Sequence, residues 1–332
     1  DPALQELLRL PALPSGNSGS VNVTTPQLQI NQGGQLTVRN DGTGDAGNLQ
    51  VEADTISLSN GGGINAATQV GRGGNINLQV ENSLSLNGKS QISSDNFGAG
   101  AAGAINIDAD VLNIEDRSFI TTTTFDAGDG GNINILATDI NITGTGFSEF
   151  QQNFQLAALT GTLQPGTRGT GIFIGTAATG TAGHLTIDTE SLSLREGAII
   201  FSPVFSAGTG GDININATDI ELNASALQIG AALTSTELGS SGDINLETER
   251  LEVRDGGSVI NATFGDAAGG DVNITAAESI ELRDSPVETI VLTGIYTNTS
   301  FGSGTGGNIN VDTGKLTIED AVIGSNTCLL YT

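Results

Sequence analysis

The sequence predicts an all-β fold: a right-handed, single-stranded parallel β-helix of about ten rungs, where a rung is one turn of the coil. Three observations predict it. A glycine-led phrase recurs at a base period of about 28 residues along the whole chain. Inside each repeat, apolar and polar residues alternate, which is the period of a strand. The 332-residue chain has 48 glycines but no Trp and no Met, so it has few of the large side chains that fill an irregular globular core.

The recurring phrase is Gly, then Asn or Asp, then an apolar residue, Asn and a second apolar residue. Full copies begin at Gly74, Gly131, Gly211, Gly242, Gly270 and Gly307. Looser copies begin at Gly19, Gly47, Gly103 and Gly183. Successive starts differ by 28, 27, 29, 28, 52, 28, 31, 28 and 37 residues, so three units are expanded. A sandwich or barrel needs no fixed period, whereas stacked rungs do, and this favours a solenoid.

Each unit is predicted to hold three short strands separated by turns rich in Gly, Asp, Asn and Ser. In the unit that begins at Gly131, apolar residues alternate at Ile133 and Ile135 and again at Ile140 and Ile142. The roughly five apolar side chains of a rung contribute ~1.5–3 kcal/mol each, whereas ordering each residue costs ~1–2 kcal/mol. Rungs are therefore expected to be stable only when they are stacked.

The repeat predicts the boundaries of the domain. Residues 1–18 are expected to be a linker or the end of an upstream rung, and residues 19–327 the β-helix, with a loop insertion at about 146–170. The tail at 328–332 breaks the repeat and is expected to be a sequencing-adapter artefact. Because the chain opens Asp-Pro-Ala and lacks Met, we expect an internal fragment of a longer protein.

Charge and cysteine content exclude several kinds of function. The chain has 11 Lys and Arg against 37 Asp and Glu, a formal net charge of −26. A surface this anionic repels phosphate backbones and acidic head groups, so no nucleic-acid partner is expected. No apolar window approaches the ~18 residues that span a bilayer, so no membrane insertion is expected. Cys328 is the single cysteine, which excludes an internal disulfide framework.

Two phrases carry a likeness to a known family. The segments TFGDAAGGDVNI at 263–274 and LEVRDGG at 251–257 resemble the repeats of filamentous haemagglutinin-like proteins of the cyanobacterial type. The resemblance implies an adhesin at the cell surface or in the extracellular space. It also implies export across the outer membrane through a partner secretion barrel, and contact with cell surfaces, matrix or polysaccharide. The Asn-Pro-Asn motif of that family's export domain does not occur in this sequence.

A column of asparagines lies between the two apolar residues of the phrase, and must therefore point outward. Its members are Asn77, Asn106, Asn134, Asn214, Asn245, Asn273 and Asn310. Stacked amides can bond from rung to rung, so the column is interpreted as a structural ladder. The alternative interpretation is a face that reads a ligand.

A second column consists of phenylalanines, each six residues before a unit-opening glycine: Phe97, Phe125, Phe205, Phe264 and Phe301. It is predicted to be an aromatic ladder that covers one corner of the coil. The alternative is a platform on which sugar rings stack. The insertion carries three further aromatic residues, Phe147, Phe150 and Phe154, and is a candidate contact loop because loops on rigid scaffolds often carry recognition.

Carboxylates recur at one position of three consecutive units, at Asp212, Asp243 and Asp271. Stacking would put these carboxylates ~4.8 Å apart. Two interpretations explain such close like charges: an exposed turn in which water and salt screen them, or a Ca²⁺ ion that bridges them. The turn is favoured, because asparagine fills the same position elsewhere, and Ca²⁺ remains a weak candidate. His184 occupies this position one unit earlier and is interpreted as structural, because nothing places a nucleophile or an orienting acid beside it. No cofactor and no catalytic residue is predicted.

The leading hypothesis for function is a structural and adhesive module of a large exported surface protein. It would act as a rigid spacer and as a contact surface for cells or matrix. A polysaccharide lyase or hydrolase on the same scaffold is the alternative, and a calcium-dependent surface-layer component is a further one. The chain is not expected to be an enzyme, because its 11 basic residues are scattered and no rung position is expected to stack Lys or Arg beside Asp.

Overall fold

The protein is a β-solenoid of parallel strands with about nine turns and a period of about 28 residues. This computed structural model therefore confirms the predicted fold class, whereas the right-handed winding stays a prediction. The structure describes residues 14–145, 169–204, 207–231, 239–264, 266–286, 293–300 and 303–328. Within these ranges no helix is long and apolar enough to cross a membrane.

The strands alternate between two sheets along the chain. In order they are β1 (Val21–Asn31), β2 (Gln35–Thr37), β3 (Leu49–Ser59), β4 (Gly63–Asn65), β5 (Ile76–Leu86), β6 (Gln91–Ser93), β7 (Ile105–Glu115), β8 (Phe119–Thr121), β9 (Ile133–Thr143), β10 (Gly171–Phe173), β11 (Leu185–Arg195), β12 (Ile199–Val204), β13 (Ile213–Asn223), β14 (Ala226–Ala231), β15 (Ile244–Arg254), β16 (Ser258–Phe264), β17 (Val272–Arg283), β18 (Gly294–Ser300), β19 (Ile309–Thr313), β20 (Leu316–Glu319) and β21 (Val322–Cys328). Odd-numbered strands β1 to β19 form sheet A, in which β20 also pairs with β17. The even-numbered strands β2 to β18 form sheet B together with β21.

The long strands of sheet A correct the prediction of three short strands in each unit. Strand β9 runs unbroken for 11 residues and contains both apolar pairs that were assigned to separate strands. Its inward residues Ile133, Ile135 and Ala137 are followed by Ile140 and Ile142, so one step of the alternation spans three residues. This change of phase resembles a turn in the sequence. In the structure the strand continues through it and keeps both apolar sets in the core.

A tight turn joins a long strand of sheet A to the next strand of sheet B. In one rung, Asn60 and Gly61 have φ of 51° and 79°, and the Gly62 N–H donates to the Ser59 carbonyl at 3.1 Å. Two consecutive residues in this left-handed region are typical of a type I′ turn. The insertion predicted at about 146–170 lies between β9 and β10, and all but its last two residues fall outside the described ranges.

The core is a continuous apolar column between the sheets. Buried Ile, Leu and Val side chains from successive rungs belong to one cluster that extends along the coil, and partly buried residues of the last rung, such as Ile309 and Ile323, pack against it. A second buried cluster lies on the opposite face of sheet B, where Phe119 packs against Phe173, Ile199, Phe201 and Ala226. The middle of sheet B is therefore apolar on both faces, which the alternation argument did not anticipate.

The glycine that opens each unit is required by the stacking of backbones at one corner. A Cβ added at Gly131 would lie 2.0 Å from the Gly103 carbonyl oxygen. The equivalent distance is 1.8–2.4 Å throughout the column from Gly47 to Gly307. Real Cβ contacts are never this short, so no side chain fits between neighbouring rungs here. The repeated glycine thus marks the closest approach of one turn to the next.

Buried hydroxyl and amide groups satisfy the carbonyls of these glycines. Thr122 Oγ1 donates to the Gly131 carbonyl at 2.6 Å, and Asn261 Nδ2 donates to the Gly242 carbonyl at 2.9 Å. Equivalent bonds are made by Ser94, Ser202 and Thr297. A buried carbonyl without a partner destabilises a fold, and this interior polar column supplies the missing donors.

Candidate contact surface

The outer face of sheet A presents the predicted asparagines as a hydrogen-bonded ladder. Asn106 Nδ2 donates to Asn77 Oδ1 at 2.7 Å, and Asn134 Nδ2 donates to Asn106 Oδ1 at 2.8 Å. A second segment, with bonds of 2.8, 2.9 and 2.8 Å, joins Asn214, Asn245, Asn273 and Asn310. Thr186 occupies the ladder position between the two segments. The seven amides thus form one column, interrupted once, which we call the amide ladder.

The local sequence explains why the ladder faces solvent. Each asparagine is the second residue of a long strand and lies between two inward apolar residues, so the pleat directs it outward. A carboxamide has two donor hydrogens and two acceptor lone pairs, and the ladder uses one of each. Shallow grooves of about 410 and 380 Å³ run along the two segments and meet at Thr186 and Asp188.

A larger groove of about 920 Å³ crosses the middle of the long strands of sheet A. Its floor contains small residues such as Ala53, Ala109 and Ala137. Seven carboxylates line it: Glu52, Asp54, Glu81, Asp108, Asp110, Asp188 and Glu190. In the part of the chain that the structure describes, none of them forms an ion pair with Lys or Arg. This surface, the acidic groove, is therefore strongly negative.

Carboxylates further along sheet A are matched by arginines. Arg254 contacts Glu221 at 2.6 Å and Glu252 at 3.3 Å, and Arg250 contacts Asp219 at 2.6 Å and Glu278 at 2.8 Å. Asp219 and Arg250 are partners in the register of β13 and β15, so the expectation that no rung position stacks a basic residue beside Asp is wrong. The last position of three long strands holds an arginine, at Arg195, Arg254 and Arg283. Their equivalence becomes visible only through the register of the sheet.

The arginine network makes stability depend on the titration of Glu221. Burial raises the pKa of Glu221, but hydrogen bonds and charges from Arg195 and Arg254 outweigh burial and leave that pKa below its ordinary value. A depressed pKa in the folded state stabilises the fold above the unfolded pKa of about 4.3, and this contribution disappears as the pH falls through the folded value.

We therefore expect Glu221→Gln to lower the free energy of unfolding by about 1 kcal/mol at pH 7. At a pH below the folded pKa of Glu221, the variant and the wild type should have equal stability. Urea unfolding at both pH values measures the difference. The control is Glu247→Gln, because Glu247 is exposed and forms no ion pair among the described residues. A loss at Glu221 that is the same at both pH values would contradict the linkage.

The aspartates considered for Ca²⁺ accept backbone hydrogen bonds from the next rung. The Asp243 N–H donates to Asp212 Oδ1 at 2.9 Å, and the Asp271 N–H donates to Asp243 Oδ1 at 2.7 Å. Asp271 Oδ1 accepts from the Asn308 N–H at 2.7 Å. A side-chain acceptor at this position bonds the next rung, which explains why aspartate or asparagine occupies it in most rungs; Ala104 is an exception. Across the described residues, no group of three or more His, Cys, Asp or Glu is arranged to hold a metal; Ca²⁺ binding stays a prediction.

His184 fills the same acceptor position. Its Nδ1 accepts from the Asp212 N–H at 3.0 Å, and its own N–H donates to Asn132 Oδ1 at 2.9 Å. Nδ1 also lies 3.2 Å from Asp212 Oδ2, so, contrary to the expectation, an acid does lie beside this histidine. The histidine performs the same rung-to-rung bonding as the aspartates beside it.

Two members of the phenylalanine column stack directly. The rings of Phe97 and Phe125 are parallel within 5° with centroids 5.0 Å apart, and they are 45% and 39% exposed. Because the rings face each other, each ring has one face covered by its neighbour. The side chain of Phe264 is not described, although its backbone belongs to β16. The other predicted aromatic residues lie outside the described ranges: Phe147, Phe150, Phe154, Phe205 and Phe301.

Comparison with known proteins adds no relative. No family model matches the chain, and neither the curated proteins nor the solved structures contain a match.

Proposed function

We propose that this protein is a structural and adhesive module of a large exported surface protein. The observation that carries the proposal is the parallel register of both sheets, which runs from the first described rung to the last. One continuous core and repeated rung-to-rung side-chain bonds support a stiff rod. Such a rod can hold a contact surface at a distance from its point of attachment.

The likeness of the repeats to filamentous haemagglutinin-like proteins supports a place at the cell surface or outside the cell. By the same likeness, the proposed partners are a secretion barrel in the outer membrane and the surface of a host or neighbouring cell, matrix or polysaccharide. The formal charge of −26 favours partners that are neutral or cationic.

Solution scattering combined with an adhesion assay tests this proposal. About ten levels at ~4.8 Å each correspond to a rod on the order of 48 Å long, and small-angle X-ray scattering should show that elongation. Beads coated with the folded chain should attach to cells or matrix in larger numbers than beads coated with the urea-unfolded chain. An isotropic particle would contradict the role as a spacer, and equal attachment of both bead types would contradict the adhesive role.

A further inference from the structure

We infer that the amide ladder binds an uncharged, hydroxyl-rich polysaccharide whose chain lies along the axis of the solenoid. The inference rests on the proposed contact function and names the partner class of the same surface. The observation behind it is a column of seven outward amides, each held by its neighbour and each with unused hydrogen-bonding capacity.

The chemistry of the ladder matches sugar hydroxyl groups. Each amide inside the ladder keeps one N–H and one oxygen lone pair for an external partner. A hydroxyl both donates and accepts, so one hydroxyl can use either group. The pattern repeats at the strand spacing of ~4.8 Å. A polymer with hydroxyls on every unit can therefore meet successive rungs along the two shallow grooves beside the ladder.

Preorganisation makes such weak contacts additive. A bond between an exposed amide and a hydroxyl replaces bonds to water, so each contact alone contributes little. Binding usually requires the ordering of side chains at the interface. Here the bonds from Asn106 to Asn77 and from Asn134 to Asn106 already fix the amides before a ligand arrives. Contacts repeated along one polymer then raise the affinity through effective concentration.

The break in the ladder leaves hydrogen-bonding groups of the neighbouring amides available to a ligand. At Thr186 the column lacks an amide, so Asn134 Oδ1 and Asn214 Nδ2 have no ladder partner among the described residues. Leu136, two residues beyond Asn134, is 55% exposed and lines the same groove as Thr186. A free acceptor and an apolar side chain therefore line one groove, and a free donor lines the adjoining groove that meets it at Thr186. These are the groups that contact the hydroxyls and the apolar face of a sugar ring.

Charge selects against acidic polymers. The acidic groove adjoins the shallow groove along the first ladder segment, and Asp108 and Asp188 line both grooves. A carboxylated or sulfated chain on the ladder would lie next to seven carboxylates that have no basic partner among the described residues. The ladder itself is uncharged, so binding to a neutral chain should depend little on salt.

The test compares two double variants in the same pair of strands. Asn106→Thr with Asn134→Thr removes amides from the ladder in β7 and β9, and Thr186 shows that threonine fits this position. Asn113→Thr with Asn141→Thr is the matched control, because those residues lie on the same two strands and share an equivalent amide bond of 3.1 Å. The probe is a linear neutral β-glucan of about ten sugars, with its carboxymethylated form as the second ligand. Calorimetry on the full chain at low and moderate salt gives the affinities.

We expect the ladder variant to bind the neutral glucan about tenfold more weakly than the wild type, a loss of roughly 1.4 kcal/mol, and the control to change less than about twofold. The carboxymethylated glucan should bind more weakly than the neutral glucan. Equal losses in the two variants, preference for the carboxymethylated form, or no binding by the wild type would overturn the inference. Small-angle scattering on the same samples separates the failure of this inference from the failure of the proposed function. An elongated particle that does not bind the glucan contradicts this inference and leaves the proposed spacer function intact.

Discussion

Replacing Gly131 with alanine is expected to destabilise the solenoid by more than about 4 kcal/mol. The added Cβ would lie 2.0 Å from the Gly103 carbonyl oxygen and 2.6 Å from the Gly103 carbonyl carbon. Both atoms belong to the backbone of the neighbouring rung, so no side-chain movement relieves the clash. Urea unfolding followed by circular dichroism measures the loss.

Gly19→Ala is the matched control for this change. Gly19 opens the first unit of the same column, and nothing lies within 4 Å of the position that its Cβ would take. Because alanine also restricts the unfolded chain, the stability of this variant should stay within about 1 kcal/mol of the wild type. If Gly19→Ala were as damaging as Gly131→Ala, the contact between rungs would not be the cause.

Replacing Asn261 with leucine is expected to lower the free energy of unfolding by about 2–4 kcal/mol. Asn261 is 2% exposed. Its Nδ2 donates to the Gly242 carbonyl at 2.9 Å, and its Oδ1 lies 2.8 Å from the Ser241 hydroxyl. Leucine would leave the buried Gly242 carbonyl without its donor, which destabilises the fold. The half-buried Ser241 hydroxyl would lose one acceptor but would still accept from the Gly270 N–H.

The control for Asn261 is threonine. Thr297 lies in the interior polar column and donates to the Gly307 carbonyl at 2.9 Å, so Asn261→Thr should restore the bond to Gly242 and lose less than half as much stability. Chemical unfolding of the two variants under the same conditions gives the comparison. Equal losses for leucine and threonine would assign the effect to shape instead of hydrogen bonding.

The stacking of rungs could be predicted because it depends on properties that repeat. Contacts between equivalent residues of neighbouring rungs leave a repeated pattern in the sequence. This pattern includes the period, the alternation at Ile133 and Ile135, and the unit-opening glycine. The outward direction of Asn134 followed from the same alternation. The continuation of the strand after Ala137 could not be predicted in this way, because a one-residue change of phase is compatible with either a turn or a continuous strand.

Contacts outside the repeating pattern were harder to predict. The cluster around Phe173 on the outer face of sheet B depends on what covers that face, and alternation describes only the side that faces the main core. The acidic groove depends on the register of the long strands, which brings Asp54 and Glu81 of neighbouring rungs to one surface. The arginine network needed the pairing of Arg195 with Asn223 and then Arg254, which the expanded units conceal in the sequence.

The bonds between neighbouring rungs also determine how this protein would respond to tension. Because each turn is bonded only to the turns directly above and below it, a pull on the two ends of the chain loads a single interface at a time. The coil would then peel turn by turn, and each step would release about 28 residues, roughly 90–100 Å of extended chain. A tether of this kind lengthens in small increments and dissipates a sudden load before its attachment fails.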